Sequence, residues 1–516
     1  MFLFYACCLA VLTYRHEMWR DELQAWLIAL QSRSLSELFS NTAYEGHPKL
    51  WFILLWLLAK ISASPFMVQV LNYGVTLASA WIICFRSPFR IYEKALLIFG
   101  YFFLFEYGLI ARNYQIASFL FLLIALRWKD LPGSAGWIGV LLALLIHCNA
   151  FAMLAGFGIT AALLRRKFLQ DRLFFLRPKA LLPFVLIGTS FLLFVISVKP
   201  PADSSYIPGW FVELNAQRIL AVVTRTNLAF FPIPSFTHAF WDTYWISNLQ
   251  LRRLLAIAVA GGIFYMFRKK RELLLMMAVS LVMVYLFGYV KSPGAMRHNG
   301  NLFLVFIVCC WIYFQEEHRT PPTRWPFWLL LLGNFVSGLY AASMDYRYPF
   351  SSARQTADYL RAAHVNHYAV GINYFLIPVA GYLEKPGLSL NSQLERPFIL
   401  WRTSEYSDNV KNLSDSVLVE RFMTYRQRYP DAVLLMHHFP LKQSSFGGQN
   451  NPVLRLSTGQ YRQSCRRAFA DGIRDDESYY VVDLSPVHLK STAAITASSP
   501  TRALAGRGNS AVKTVN

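Results

Sequence analysis

The chain carries little charge for its length. Of 516 residues, 15% are Asp, Glu, Lys or Arg, against 55% hydrophobic and 16% aromatic. Its mean hydropathy is +0.34. Repeated apolar runs of roughly membrane-spanning length go with that balance, so an ordinary soluble domain is excluded in favour of a polytopic membrane protein. Cysteine is sparse: Cys7, Cys8, Cys84, Cys148, Cys309 and Cys310 fall in apolar segments, and Cys465 lies in the tail region. No two are spaced as CxxC, so neither a disulfide framework nor a cysteine metal site is expected. There is no glycine-rich phosphate loop and no internal repeat. Residues 1–14 lack a basic stretch at their start, so they read as a retained first span rather than a cleaved signal. They are short for a span, which leaves open a start further upstream or partial insertion.

The charge that is present is lopsided, at +21. In a soluble protein that excess would point to nucleic acid. Here much of it sits in short loops between apolar runs, so it reads as topology, and no nucleic-acid partner is expected. Apolar runs occur near 1–14, 48–62, 66–85, 92–110, 113–127, 134–148, 150–164, 180–198, 251–267, 273–290, 301–315 and 325–343. Five basic clusters lie between them: Arg86 with Arg90, Arg127 with Lys129, Arg165 through Lys179, Arg268–Arg271, and Arg319 with Arg324. All five fall on one side if 48–62 lies along the membrane surface and does not cross. The expected fold is therefore a polytopic α-helical membrane protein of about eleven spans. Its basic loops and N-terminus would be cytoplasmic, and 48–62 would be a juxtamembrane helix started by Pro48.

This topology collects the unusual polar residues on the opposite face. Loop 15–65, the turns at Arg112 and His147, the aromatic loop 199–250, the turn 291–300 and everything after 343 are expected there. A short interfacial helix is an option over 218–231. Aromatics at this depth, such as Trp210, Trp241, Tyr244 and Trp245, read either as interface anchors or as the lining of a substrate cavity. Residues 1–343 form the expected membrane domain. Residues 344–490 read as a small extracytoplasmic α/β domain. Its helices are expected at 351–363 and 415–428, and its strands at 367–372, 397–401, 432–437 and 479–484. Residues 491–516, rich in Ala, Ser and Thr, are expected to be disordered.

The chemistry concentrates in short stretches. Trp19-Arg20-Asp21-Glu22-Leu23-Gln24-Ala25-Trp26 opens an amphipathic helix with Leu23, Trp26, Leu27 and Leu30 on one face. Asp21 and Glu22 either cap that helix or perform chemistry beside the membrane. Glu45-Gly46-His47-Pro48 follows, and Glu45 with His47 suits either an anion contact or a divalent cation. Arg112-Asn113-Tyr114 ends a span, where Arg112 either reaches to lipid headgroups or binds a phosphate bidentately. His147, beside Asn149, reads either as a satisfied polar residue or, with Glu45 and His47, as a contact to substrate or metal. Arg297 and His298, with Lys291, place cations on the face that the other basic loops avoid, and a phosphate site accounts for that exception. Together these residues fit group transfer from a lipid-linked phosphate. A carboxylate would take a proton from an acceptor hydroxyl, and cations would hold the departing phosphate.

The Asp-Glu pair opening the first outer loop, the Gly-His-Pro-Lys-Leu helix start and the Ala-Arg-Asn-Tyr turn resemble the GT-C superfamily of membrane glycosyltransferases. That superfamily includes the protein O-mannosyltransferases and the lipid A aminoarabinose transferases. The resemblance implies an inverting glycosyltransferase in a bacterial-type inner membrane, using a polyprenyl-phosphate-linked sugar on the outer face. The acceptor would be a glycan, lipid or protein of the cell envelope. It implies that Asp21 is the catalytic carboxylate, with Glu22 holding the loop or contacting a cation. Glu45 and His47 would meet donor or metal, while Arg297 and His298 would meet the donor phosphate. Arg112 lies where many members place a second acidic residue; this chain has Asn113 and Gln115 there, and Glu106 is the nearest carboxylate. Two rivals differ in kind: a transporter or flippase of lipid-linked sugars, and a non-catalytic envelope-assembly protein.

Overall fold

The computed structural model describes residues 1–205, 209–316, 324–407, 410, 412–442, 453–457 and 459–487. The tail expected to be disordered, 491–516, and Arg319 of the fifth basic cluster lie outside the described residues. The chain is mostly helical. It opens with α1 (Phe2–Arg15), α2 (Arg20–Gln31), α3 (Leu35–Thr42), α4 (Leu50–Ala59), α5 (Phe66–Arg86) and α6 (Ile91–Ile98). After a π-helical turn at Tyr101–Glu106 come α7 (Tyr114–Trp128), α8 (Ala135–Ile146), α9 (Ala150–Gln170) and α10 (Pro178–Val198). Two short helices follow, α11 (Ala216–Thr224) and α12 (Thr226–Phe230), and then α13 (Leu249–Phe267), α14 (Arg271–Val290), α15 (Met296–Glu316) and α16 (Trp325–Arg347).

Six of these, α5, α10, α13, α14, α15 and α16, are long and apolar enough to cross a membrane. They mark a membrane-embedded protein. In α15, 89% of the apolar window is buried inside the protein, against 17% in α10 and in α13. Helix α15 is therefore the central pillar, while α10 and α13 turn apolar side chains outward. Helices α9 and α14 pack with no room between them: a Cβ on Gly158 would sit 2.0 Å from the Met276 carbonyl oxygen. Ser280 donates to Ala155 O at 2.7 Å across the same seam.

The segment expected as one span over 92–110 is not one helix. It breaks at Gly100, and the wider π turn follows. The break is where α16 comes closest, since a Cβ on Gly338 would meet Phe99 O at 2.4 Å. The expected surface helix begins at Leu50, so Pro48 precedes it rather than forming its first turn. Its ten residues reach about 15 Å, half of a bilayer core. It lies against α2, where Trp56 Nε1 donates to Ser32 O at 2.8 Å.

Beyond α16 lies the α/β unit. Helix α17 (Ala353–Ala362) leads to β1 (Tyr368–Val370), α18 (Asn373–Leu383) and β2 (Leu388–Ser389). Helix Asp415–Arg428 precedes β3 (Val433–Met436), β4 (Val453–Leu456), β5 (Gly459–Phe469) and β6 (Tyr479–Pro486). The sheet runs β2-β1-β3-β6-β5-β4, parallel through β3 and antiparallel from β3 to β4. The strand expected at 397–401 does not form. That segment docks on α2 instead, where Ile399 exchanges two hydrogen bonds with the Gln24 side chain, 2.8 and 3.1 Å.

Candidate active site

Helix α2 sets the geometry. Its first turn carries Asp21 and Glu22, and consecutive side chains on a helix point about 100° apart, so the two carboxylates part company. Glu22 turns inward and is fully buried. Its Oε2 accepts from Trp19 N at 3.1 Å, the reach-back bond of a capping box. The same oxygen lies 3.3 Å from His16 Nε2. Its Oε1 accepts from Ala111 N at 2.6 Å. The other ring nitrogen of His16 meets Asp345 at 3.0 Å, near the end of α16. Burial alone would lower the His16 pKa, but Asp345 and Glu22 outweigh it and raise it to about 10. An imidazolium is thus clamped between two carboxylates, and Glu22 is a strut of the loop.

Asp21 turns outward. Its side chain keeps 34% of its surface and forms an ion pair with Arg112 Nη1 at 2.7 Å. Burial would raise its carboxyl, but Arg112, Arg297 and Arg20 together hold it below its ordinary value. Arg297 sits in the first turn of α15 and pairs with Asp242 at 2.9 Å. Its guanidinium also lies over the rings of Trp241 and Trp19, 5.0 and 5.9 Å from their centroids. Asp242 adopts φ +58°, a left-handed backbone open to few residues besides Gly, Asn and Asp. From there one carboxylate receives both Arg297 and the α15 N–H of Met296, at 3.2 Å.

Four segments far apart in sequence therefore meet: the start of α2, the turn before α7, the loop at Asp242 and the start of α15. Glu45 and His47 close one side. Burial pushes the Glu45 carboxyl up to about 7, while hydrogen bonds from Gln24 (2.9 Å) and Trp401 (3.2 Å) work against that rise. Burial first, and then Arg112, lower His47 to about 4, so its ring is neutral at pH 7. His298 Nδ1 accepts from Ala295 N at 2.8 Å, and its ring stacks on Phe151. It is thereby fixed at the rim with Arg297. His147 is placed differently. No described hydrogen bond or ion pair ties its side chain to the cluster. Its neighbour Cys148 is the link, accepting from Asn113 Nδ2 at 2.7 Å and so bracing the Arg112 turn.

Asp242 carried no signal in the sequence. Trp241, one of the loop aromatics read as a candidate cavity lining, packs on Trp19 with 4.9 Å between centroids. Glu106 is buried behind the cluster, where Tyr101 and Trp241 donate to its Oε2 at 2.7 and 2.9 Å. The α/β unit also reaches the site. Arg474 lies over the Trp19 and Trp241 rings, and Arg20 pairs with Asp476 at 2.7 Å. Among the described residues, no three His, Cys, Asp or Glu side chains converge as a metal-binding group. Glu45 and His47, on one side of Asp21, are the pair that would share a divalent cation. The arrangement offers a partly exposed carboxylate set between two guanidinium groups and walled by aromatic rings. No family model matches the chain, and no curated protein matches it.

Proposed function

We propose that the protein is an inverting glycosyltransferase of the GT-C kind, acting on a polyprenyl-phosphate-linked sugar at the extracytoplasmic face. The observation that carries this reading is Asp21 standing between Arg112 and Arg297 at the ends of apolar helices. Without substrate, Arg112 neutralises Asp21. An entering phosphodiester is a better bidentate partner for a guanidinium than a shared carboxylate is. Arg112 turns to the phosphate, Asp21 is released, and its basicity rises. The acceptor hydroxyl oxygen then attacks the anomeric carbon while its proton passes to Asp21. The bond from that carbon to the phosphate oxygen breaks. Polyprenyl phosphate leaves, its new charge held by Arg112 and Arg297. Trp19 and Trp241 offer flat apolar faces against which a sugar ring stacks.

In this reading the shorter apolar helices α1, α7 and α8, with α9 and the broken segment at 92–110, complete about eleven crossings. The basic loops are then cytoplasmic in a bacterial-type inner membrane, and the acceptor is a glycan, lipid or protein of the envelope. The α/β unit roofs the site through Gln24, Glu45 and Arg20. A second reading, transport of the lipid-linked sugar, is favoured by one observation: Glu106 is buried in a broken apolar segment, as in transporters whose discontinuous helices line a binding site.

One experiment separates the two. The purified chain is reconstituted in liposomes with radiolabelled polyprenyl-phosphate sugar, and released polyprenyl phosphate is measured with envelope extract as acceptor source. Asp21-dependent release is the expected result. Equilibration of intact donor between leaflets without release would favour transport and overturn the transferase reading.

A further inference from the structure

A basic cavity lies at the other end of α15. Arg297 is the second residue of that helix and Glu316 its last, which separates them by roughly 28 Å at 1.5 Å per residue. There the ends of α9, α14 and α15 enclose a cavity of about 230 Å³. Its polar wall is Arg165, Lys269, Lys270, Arg271, Glu272 and Glu316, and its floor is Leu273 and Ile312. Both acids are already engaged: Glu316 with Lys270 at 3.2 Å, and Glu272 with Arg166 at 3.5 Å. Arg165, Lys269 and Arg271 have no ion-pair partner among the described residues. Arg165 already acts electrostatically on Glu272 beside Arg166, so Lys269 and Arg271 are the cations left over around a space large enough for a phosphate with its ester substituents. The same wall includes the first three residues of α14, whose N–H groups have no intrahelical acceptor. Further along the same two helices, α9 and α14 pack closely at Gly158 and Met276.

We infer that this cavity binds the phosphodiester headgroup of an anionic phospholipid from the leaflet at that end of the bundle. Basic pockets between membrane helices recognise headgroups of this chemistry. Two features favour a lipid over a soluble phosphate ester. The cavity opens at the ends of membrane-crossing helices. Leu164 and Phe168, on the α9 turns beside Arg165, are exposed on the protein surface, where acyl chains would lie. The inference does not depend on the chemistry at Asp21.

The test uses the delipidated full chain in detergent and native mass spectrometry. The probes are dioleoyl phosphatidylglycerol, dioleoyl phosphatidylcholine and glycerol 1-phosphate. Phosphatidylglycerol is expected to bind in preference to the other two. A cation near the headgroup is worth about fivefold in affinity, so Lys269→Ala/Arg271→Ala is expected to weaken phosphatidylglycerol by tenfold or more. Lys269→Ala alone, in an exposed turn where folding is least disturbed, is expected to lose about fivefold. Lys167→Ala serves as control, because its ammonium is directed to Pro132 O at 3.5 Å. Equal binding of the two lipids, or undiminished phosphatidylglycerol binding in both cavity variants, would overturn the inference. So would glycerol 1-phosphate binding as tightly as the lipid, since the ligand would then be a soluble phosphate ester.

Discussion

Glu22 Oε1 accepts the backbone N–H of Ala111 at 2.6 Å, across 89 residues of chain, and Ala111 immediately precedes Arg112. The carboxylate beside Asp21 thereby fixes the cation that pairs with Asp21. One acid positions and its neighbour faces the cavity.

The two are expected to fail differently when altered. Asp21→Asn keeps the shape and removes the proton acceptor, so transfer should fall by about a hundredfold to ten-thousandfold with the melting temperature nearly unchanged. Glu22→Gln leaves the His16 imidazolium with one carboxylate and turns an amide toward N–H donors. Breaking one side of a buried ionic cluster costs about 3 kcal/mol or more, so its melting temperature should drop clearly. Thermal unfolding of both purified variants, read beside the transfer assay, checks the division. A Glu22→Gln protein as stable as the parent would reject it.

The buried imidazolium gives a stability signature with a definite sign. The pKa of His16 rises from 6.5 to about 10 on folding. The folded state therefore binds a proton that the unfolded chain releases more easily. That stabilisation is complete below pH 6.5 and is lost as pH climbs through about 10. Melting temperature should decline across this alkaline window, and His16→Asn should flatten the decline while lowering stability at pH 6. The same slope in parent and variant would assign it to other groups.

Arg297 is expected to matter most once charge develops on the leaving phosphate. Arg297→Ala should lower turnover by about tenfold to a thousandfold, with a smaller change in donor binding. Asp242→Asn weakens the carboxylate that holds Arg297, so a milder defect of the same kind should follow. Steady-state kinetics with lipid-linked donor distinguishes the two parameters. Unchanged kinetics in Arg297→Ala would remove this residue from the site.

Orientation is open to direct labelling. Leu214, 90% exposed in the aromatic loop, and Arg172, exposed in the densest basic cluster, should lie on opposite sides of the membrane. In intact cells, with native cysteines replaced by serine, an impermeant maleimide should label Leu214→Cys and spare Arg172→Cys. The reverse pattern would invert the proposed topology.

The sequence made Asp21, Arg112 and Arg297 conspicuous because each is charged where an apolar helix begins or ends. Helix Asp415–Arg428 was likewise readable from its period. Other features were out of reach for physical reasons. The inward turn of Glu22 depends on what α2 packs against, and nothing local specifies that. Asp242 acts through a left-handed backbone, which an isolated Asp in an aromatic loop does not announce. The break at Gly100 is imposed by the close approach of Gly338 on α16, a contact between distant segments. The run Phe398-Ile399-Leu400-Trp401 has the composition of a strand, yet the N–H and C=O of Ile399 are taken by Gln24 and the Trp401 carbonyl by Ser205 N–H. Strand β5 went unread because Arg462, Arg466 and Arg467 interrupt any alternation, and its partners are supplied by β4 and β6 on either side.

The contact between His16 and Asp345 also dictates an order of events during synthesis. The two residues are 329 positions apart, one following the first helix and the other near the end of α16. While the ribosome is still making the intervening chain, Glu22 and His16 have no second carboxylate to complete their cluster. The first loop can already meet Ala111, but its His16–Asp345 contact waits for α16. The α2 turn that presents Asp21 is thus among the first segments translated and still draws contacts from α16 and from the α/β unit beyond it. A chain arrested before α16 would hold Asp21, Arg112 and Arg297 and still lack the Asp345 half of the His16 clamp.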